Sequence, residues 1–332
     1  MTAEVPAIDV SSISVVICAY TDERWDDVIA AVESLRRQTA APKEIVVVVD
    51  HRPTLLKRVR RALPEVIAIP NTGPTGLSGA RNSGVVASTG SVVAFLDDDA
   101  RAAPDWLERI ALAYRDPRVI GVGGTSEPVW PGKRPVWFPA EFDWVVGCTY
   151  RGMPEQTSQV RNLIGSNMSL RRDVLEQLGG FRSGIGRVGV RPVGCEETEL
   201  CIRAAQRWPD ALLLYEPRAR VSHRVSHGRA TWSYFRSRCF SEGLSKALVS
   251  RLVGAGDGLA TERAYTRRTL PLGVVHGLSD AVCRRDLGGL ARAAAISTGL
   301  LMTASGYLLG RLIRVDAVTL DPATASFGTG LR

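Results

Sequence analysis

The chain has 332 residues, 45% hydrophobic and 23% charged, with a formal net charge of +8. That length holds one large domain or two smaller ones with a sizeable core, and the composition is that of a globular protein. Of the 42 basic residues only Lys43, Lys57, Lys133 and Lys246 are lysines, and no basic run is present, so the charge excludes a nucleic-acid footprint. The six cysteines show no CxxC pair or regular spacing, which reads as reduced thiols of a cytoplasmic protein. The first twelve residues carry neither the basic nor the apolar region of a secretory leader.

Residues 13–19 (ISVVICA) form a continuous β-branched run, predicted as a buried parallel strand that empties into a polar turn at Tyr20 to Arg24. Trp25, Val28, Ile29, Val32 and Leu35 then recur at helical spacing, with Asp26 and Asp27 in the first turn, where the helix dipole favours acids. Residues 44–49 (EIVVVV) are a second buried strand that stops at Asp50, and residues 66–69 a short third one. A turn over residues 71–76 leads into a small-residue helix through Ala80, Arg81, Asn82 and Gly84.

Residues 91–100 (SVVAFLDDDA) place Asp97, Asp98 and Asp99 at the carboxyl end of a strand, the edge where open α/β sheets bind ligands. Adjacent carboxylates repel unless a cation or donor array neutralises them, so the triplet asks for a divalent metal and, through it, a phosphate. The competing reading is a solvated acidic turn capping the helix that opens at Pro104. That helix, and a strand at residues 119–123, complete a β-α-β-α-β-α-β alternation that predicts a Rossmann-like, mostly parallel sheet flanked by helices. No GxGxxG follows Gly121 to Gly124 and no Walker A motif exists, which leaves little for a dinucleotide or P-loop reading.

Residues 127–147 set Trp130, Trp137, Phe138, Phe142 and Trp144 among prolines, either as irregular core or as a wall on which a sugar or lipid acceptor stacks. A strand signal at residues 163–170 (LIGSNMSL) contains Asn167 in an incidental sequon, and a helix over 172–178 is closed by Gly179 and Gly180. Six glycines within residues 179–194 predict a loop that closes over substrate. Glu196 and Glu197 follow at a helix N-terminus, as dipole partners or, given the loop before them, with one as general base. Residues 211–215 and 218–225 read as two extended segments. The second holds His223, which would complete a metal site with the aspartates, with His227 as its competitor.

Residues 232–252 predict an amphipathic helix. Residues 293–310 are an uncharged stretch flanked by arginines, at the short limit for a membrane span. They read equally as an interfacial or re-entrant segment and as a buried helical hairpin. Residues 316–332 read as a disordered tail.

The order and spacing of ISVVICAYTDER, EIVVVVD, GARNSG, FLDDDA, GSNMSLRRDVLEQLGGF and CEETELCIR resemble the family 2 inverting glycosyltransferases of the GT-A fold, over about residues 12–230. The remainder is similar to members that act on cell-envelope or lipid-linked glycans. The resemblance implies a nucleotide-sugar-binding half (12–125), an acceptor half (126–230) and a helical, membrane-associated region (231–315). It implies that Ala19, Tyr20, Glu23, Asp50, Arg81, Asp97 and Asp98 meet the donor, Asp50 through its base. Asp99, with Asp97 and His223, would hold Mg²⁺ or Mn²⁺ against the diphosphate. Glu197, or else Glu196, would deprotonate the acceptor hydroxyl, and Trp137, Trp144 and Asn167 would line the acceptor. The family usually carries Asp where Glu197 stands.

The expected reaction is transfer from a nucleoside-diphosphate sugar to a hydroxyl of a glycan or lipid-linked acceptor, at the inner face of the plasma membrane. Three readings compete with it. A polyprenyl-phosphate sugar synthase has an acceptor that is already ionised and needs no base, a sugar-phosphate nucleotidyltransferase would release pyrophosphate, and a non-catalytic membrane-associated module would keep the fold without the chemistry.

Overall fold

Continuous β-branched runs form the spine of the molecule because both of their faces are covered. In the computed structural model, which describes residues 8–185, 194–254 and 263–312, strands β1 (Ile13–Ala19), β2 (Glu44–Val49), β3 (Ile67–Pro70) and β4 (Val92–Asp97) pair in parallel. They are linked by α1 (Trp25–Arg36), α2 (Pro53–Ala62) and α3 (Leu77–Ala87). Val15, Ile17, Val47 and Val49 pack with Val28, Val32 and Leu35 of α1 and with Leu55 and Val59 of α2. On the other face Val16, Val46 and Val48 meet Ala80 and Val85 of α3. Gly84 of α3 rides so close to the sheet that a Cβ there would stand 2.4 Å from a Val16 methyl.

The chain continues through β5 (Ala100–Ala102), α4 (Trp106–Ala113), β6 (Val119–Val129), β7 (Ser158–Gln159), β8 (Asn167–Arg171), α5 (Arg172–Gln177), α6 (Glu196–Arg207) and β9 (Leu212–Arg224). The sheet order is β3-β2-β1-β4-β8-β6-β9-β5, with β7 on β9. Because β8 is antiparallel to both β4 and β6, strands β6 and β9 run the same way as β1 to β4, and only β5, β7 and β8 are reversed. The mostly parallel, helix-flanked sheet expected from the alternation is thus present.

Two features depart from the expectation. The extended segments at 211–215 and 218–225 are one strand, β9, because a register shift against β6 absorbs the residues between them. Gly124 permits it, since a Cβ there would lie 1.8 Å from the Ala219 carbonyl oxygen. The acids after β4 do not lead directly into a helix; β5 intervenes and pairs Ala100 with His223. Half of the glycine-rich loop, residues 186–193, and the tail at 316–332 lie outside the described residues.

Three further helices, α7 (Trp232–Val253), α8 (Leu270–Cys283) and α9 (Leu287–Leu312), form the last layer. They pack through glycines. A Cβ on Gly306 would stand 2.0 Å from the Phe240 oxygen, one on Gly243 2.1 Å from the Thr303 oxygen, and one on Gly277 2.7 Å from the Gly289 oxygen. Leu272, Val275, Val282, Leu290, Leu301 and Leu308 point outward and are exposed. By length and composition α9 could cross a membrane. Gly306→Ala should cost about 1–3 kcal/mol by overpacking the α7–α9 crossing, read as a lowered unfolding midpoint, whereas Gly228→Ala, with open space around it, should be near neutral.

Candidate active site

Parallel strands deliver their carboxyl ends to one edge, and β4 delivers Asp97 there. The turn that follows is held inward because β5 returns to pair with β9. His223 Nε2 therefore lies 3.1 Å from Asp99 Oδ1 and 3.6 Å from Asp97 Oδ2. Ligand atoms of Asp97, Asp99 and His223 all lie within 4.8 Å of one another, a set that can hold a metal ion. Asp98 and Asp99 are only 3% and 5% exposed, which rules out the solvated turn. His227, the rival imidazole, is exposed in the next turn.

Cations converge on the buried acids. Arg24, just past β1, places Nη1 2.6 Å from Asp98 Oδ1 and 3.0 Å from Asp99 Oδ2, and Arg229 Nη1 stands 3.5 Å from the same Asp99 oxygen. Burial disfavours the charge on Asp99, but His223 and then Arg24 and Arg229 hold its carboxyl well below the usual range. Burial likewise works against the imidazolium of His223, yet Asp99 and Asp97 raise it well above its ordinary value. Asp98 is pushed up by burial and by its two acidic neighbours, with Arg24 opposing. Asp99 Oδ1 meets His223 as an ion pair, and neither it nor Asp98 Oδ2 accepts a hydrogen bond among the described residues. Two carboxylates and an imidazole with such spare lone pairs suit Mn²⁺ or Mg²⁺.

Neighbouring strand ends complete the edge. Asp50, after β2, accepts from Asn71 Nδ2 at 2.7 Å and from the Gly76 amide at 2.9 Å, so the turn that opens α3 is tied to it. Ala19 is buried, Glu23 is exposed, and the exposed Tyr20 ring has the Arg24 guanidinium 5.1 Å from its centroid. Arg81 is buried between Phe95 and Phe181. Its Nη1 donates to Glu196 Oε1 at 2.7 Å, and its Nη2 donates to the Gly165 carbonyl and lies 3.8 Å from Asp97 Oδ1. It thereby fastens the start of α6 to the end of β4.

The two glutamates of α6 consequently differ. Glu196 is buried and spent on Arg81, whereas Glu197 is half-buried and has no ion-pair partner among the described residues. Burial, then the charge on Glu196, pushes Glu197 up to about 8 against the pull of Arg81.

The aromatic segment lies beyond the metal cluster. Trp144 donates to the Tyr265 hydroxyl at 3.1 Å, and Trp137 sits half-buried among Phe138, Trp232 and Phe235. Asn167 corrects the expectation that it meets an acceptor. It is 0% exposed and its amide is used up on Thr125, Ala219 and Trp106, so it locks the sheet across the β9 irregularity. Arg24 and Arg229 were missed from the sequence. Arg24 closes the polar turn after β1, a position that could have drawn attention to it, but nothing local marks Arg229.

A mostly parallel sheet with buried acids and an imidazole gathered at its carboxyl edge is the layout of a GT-A glycosyltransferase. The chain belongs to glycosyl transferase family 2, whose pattern matches residues 14–179, and it is a glycosyltransferase. It is 34% identical over 304 residues to a glucosyl-dolichyl phosphate glucuronosyltransferase of Haloferax volcanii, covering 90% of this chain and 96% of that one. Succinoglycan biosynthesis protein ExoM of Rhizobium meliloti is 24% identical over 237 residues, 70% of this chain and 72% of its own. The fold resembles that of the mannosyltransferase PcManGT of Pyrobaculum calidifontis, solved with GDP-Man and Mn²⁺, with a TM-score of 0.55 at 16% identity, over 88% of this chain and 86% of that one.

Asp99 and Asp97 raise the proton affinity of His223 above that of a free imidazole, so a metal ion bound here competes with that proton. Mn²⁺ affinity, followed by electron paramagnetic resonance, should therefore rise with pH while His223 still carries its proton, by up to about tenfold per unit, and Asp99→Asn should abolish saturable binding.

Proposed function

We propose that this glycosyltransferase moves a sugar, with inversion, from a nucleoside diphosphate to a hydroxyl of a second sugar carried on a lipid phosphate. The observation that carries this reading is Glu197, a half-buried carboxylate with no ion-pair partner among the described residues, one residue from the Glu196–Arg81 pair that fixes its helix to the end of β4. A hydroxyl nucleophile needs such a base, and a value near working pH suits one. A phosphate acceptor would need none, which disfavours a polyprenyl-phosphate sugar synthase. The Haloferax relative, whose name describes glucuronosyl transfer to glucosyl-dolichyl phosphate, supports a sugar hydroxyl on a lipid phosphate.

In this reading Asp50 and the turn at Tyr20 to Glu23 receive the nucleotide, and Asp97, Asp99 and His223 hold Mg²⁺ or Mn²⁺. When bound, the metal supplies positive charge where the leaving diphosphate becomes more negative. Arg24 and Arg229 lie within reach of the same place and add fixed cations to it. Glu197 orients the acceptor hydroxyl and takes its proton as the sugar carbon is attacked from the face opposite the diphosphate. Arg81 pairs with Glu196, and burial together with the neighbouring Glu196 keeps the proton affinity of Glu197 high.

Glu197→Gln should lower kcat by about 10²- to 10⁴-fold with little change in donor KM, measured as nucleoside diphosphate release. The wild-type rate should rise with pH through about 8 as Glu197 loses its proton, and the variant should lack that limb. Unchanged turnover in the variant would sink the base assignment and restore the phosphate-acceptor reading.

We also propose that α7, α8 and α9 form a region that rests on the cytoplasmic face of a membrane, next to catalytic halves at 12–125 and 126–230. Its helices bury glycine and expose leucine, the reverse of a soluble surface helix and the pattern of helices that pack within lipid. Arg267, Arg268, Arg284, Arg285 and Arg311 flank the apolar face and match anionic headgroups. In co-sedimentation the protein should bind anionic vesicles, and Leu301→Glu with Leu308→Glu should release it while donor hydrolysis persists.

A further inference from the structure

α7 carries a second group of charges that the metal cluster does not use. Arg238 and Glu242, one turn apart, are both buried against residues 194–195, the approach to α6. Arg238 Nη1 donates to Glu242 Oε2 at 2.8 Å, Lys246 Nζ lies 3.2 Å from Glu242 Oε1, and the Cys195 thiol donates to that same oxygen at 3.3 Å. The Gly194 amide donates to Ser245 Oγ at 3.1 Å. Arg238 and Lys246 thus both bear on one carboxylate in a nearly dry place. Burial opposes the charge on Glu242, but Lys246 and Arg238 hold its carboxyl down at about 2, so the pair stays ionised.

The guanidinium is incompletely used. Arg238 is 9% exposed, yet its Nε has no hydrogen-bond partner among the described residues. Its central carbon lies 5.8 Å from the centroid of the Trp144 ring, and Nη2 faces Gly194, where even a Cβ would stand 3.3 Å away. A buried donor left open is costly, more so when charged, so such an edge is stable when an acceptor completes it. The cluster borders the start of α6, since Glu242 holds the thiol of Cys195, two residues before Glu197.

We propose that Arg238, assisted by Lys246, binds the phosphate that joins the acceptor sugar to its lipid. The inference rests on the acceptor reading above and adds the residues that would recognise that acceptor. A guanidinium fork presents two donors to two phosphate oxygens, which one ammonium cannot do. A phosphate held here leaves its sugar beside Glu197, and it lies on the helix against which α9 and its exposed leucines pack. Arg24 and Arg229 are committed to Asp98 and Asp99, and Arg81 to Glu196; Arg238 is the buried arginine with an open edge among the described residues. A sugar carboxylate is an anion that would meet the same fork, so the test separates the two.

The full-length protein is titrated calorimetrically, with chelator present and no donor, using farnesyl phosphate, farnesol and glucuronate. Farnesyl phosphate should bind at least tenfold more tightly than farnesol. Arg238→Gln should erase that preference, leave farnesol binding unchanged, and keep wild-type Mn²⁺ affinity and near-ultraviolet circular dichroism. Arg238→Lys should retain part of the preference. Equal binding of the phosphate and the alcohol by the wild-type protein overturns the proposal without any variant. So does a preference that survives in Arg238→Gln, and competition by glucuronate as strong as that of the phosphate would make this a carboxylate site. Should Arg238→Gln fail to fold, Lys246→Met, at a partly exposed position, must weaken the phosphate but not the alcohol. Loss of the preference refutes this inference alone, whereas an intact preference with no transfer to any lipid-phosphate sugar refutes the acceptor reading alone.

Discussion

Two carboxylates cannot be buried beside a third at the end of one strand unless cations surround them, and much of the molecule follows from that constraint. The counter-charges come from far apart in the chain. Arg24 comes from the turn after β1, Arg81 from α3, His223 from β9 and Arg229 from the turn beyond it. The reversed strand β5 brings the sets together, because pairing Ala100 with His223 fixes Asp99 against the imidazole. The result is a charged cluster balanced well enough to fold, with carboxylate lone pairs left over for a metal.

The same economy of charge divides the glutamates of α6. They sit on adjacent residues at one helix end, where the dipole favours both, yet Arg81 satisfies only Glu196. Its neighbour is left with burial and a nearby negative charge, the environment that raises a carboxyl into the range of a working base. Arg81 touches both centres, so the geometry of the acids after β4 and that of α6 are set by one side chain.

The last three helices invert the usual pattern. Where a soluble layer would interlock leucines, these helices close on glycines and turn their leucines out. Close backbone approach then supplies the packing that side chains would otherwise give. α7 serves two sides at once. It seats α9 through Gly243 and Gly306, and through Ser245 and Glu242 it holds Gly194 and Cys195, the residues that lead into the helix of Glu197.

The sequence by itself determined the elements whose signal is local. Unbroken runs such as ISVVICA and EIVVVV can only be strands buried on both faces, and acids that end such runs must lie at the carboxyl edge of a parallel sheet. Asp97 and Asp99 were legible on that basis, while His223 was read from its residue type and Glu196 and Glu197 from their place at a helix start after a glycine-rich loop. What the tertiary structure decided was everything set by partners distant in sequence. It set His223 rather than His227 beside the aspartates through the β5–β9 pairing, and it paired Glu196 but not Glu197 with Arg81. It turned Asn167 from a presumed contact into a lock within the sheet, and it left an edge of Arg238 open. Periodicity records which face of an element is buried, but a charge finds its partner only when the sheet register brings two separate elements to one edge.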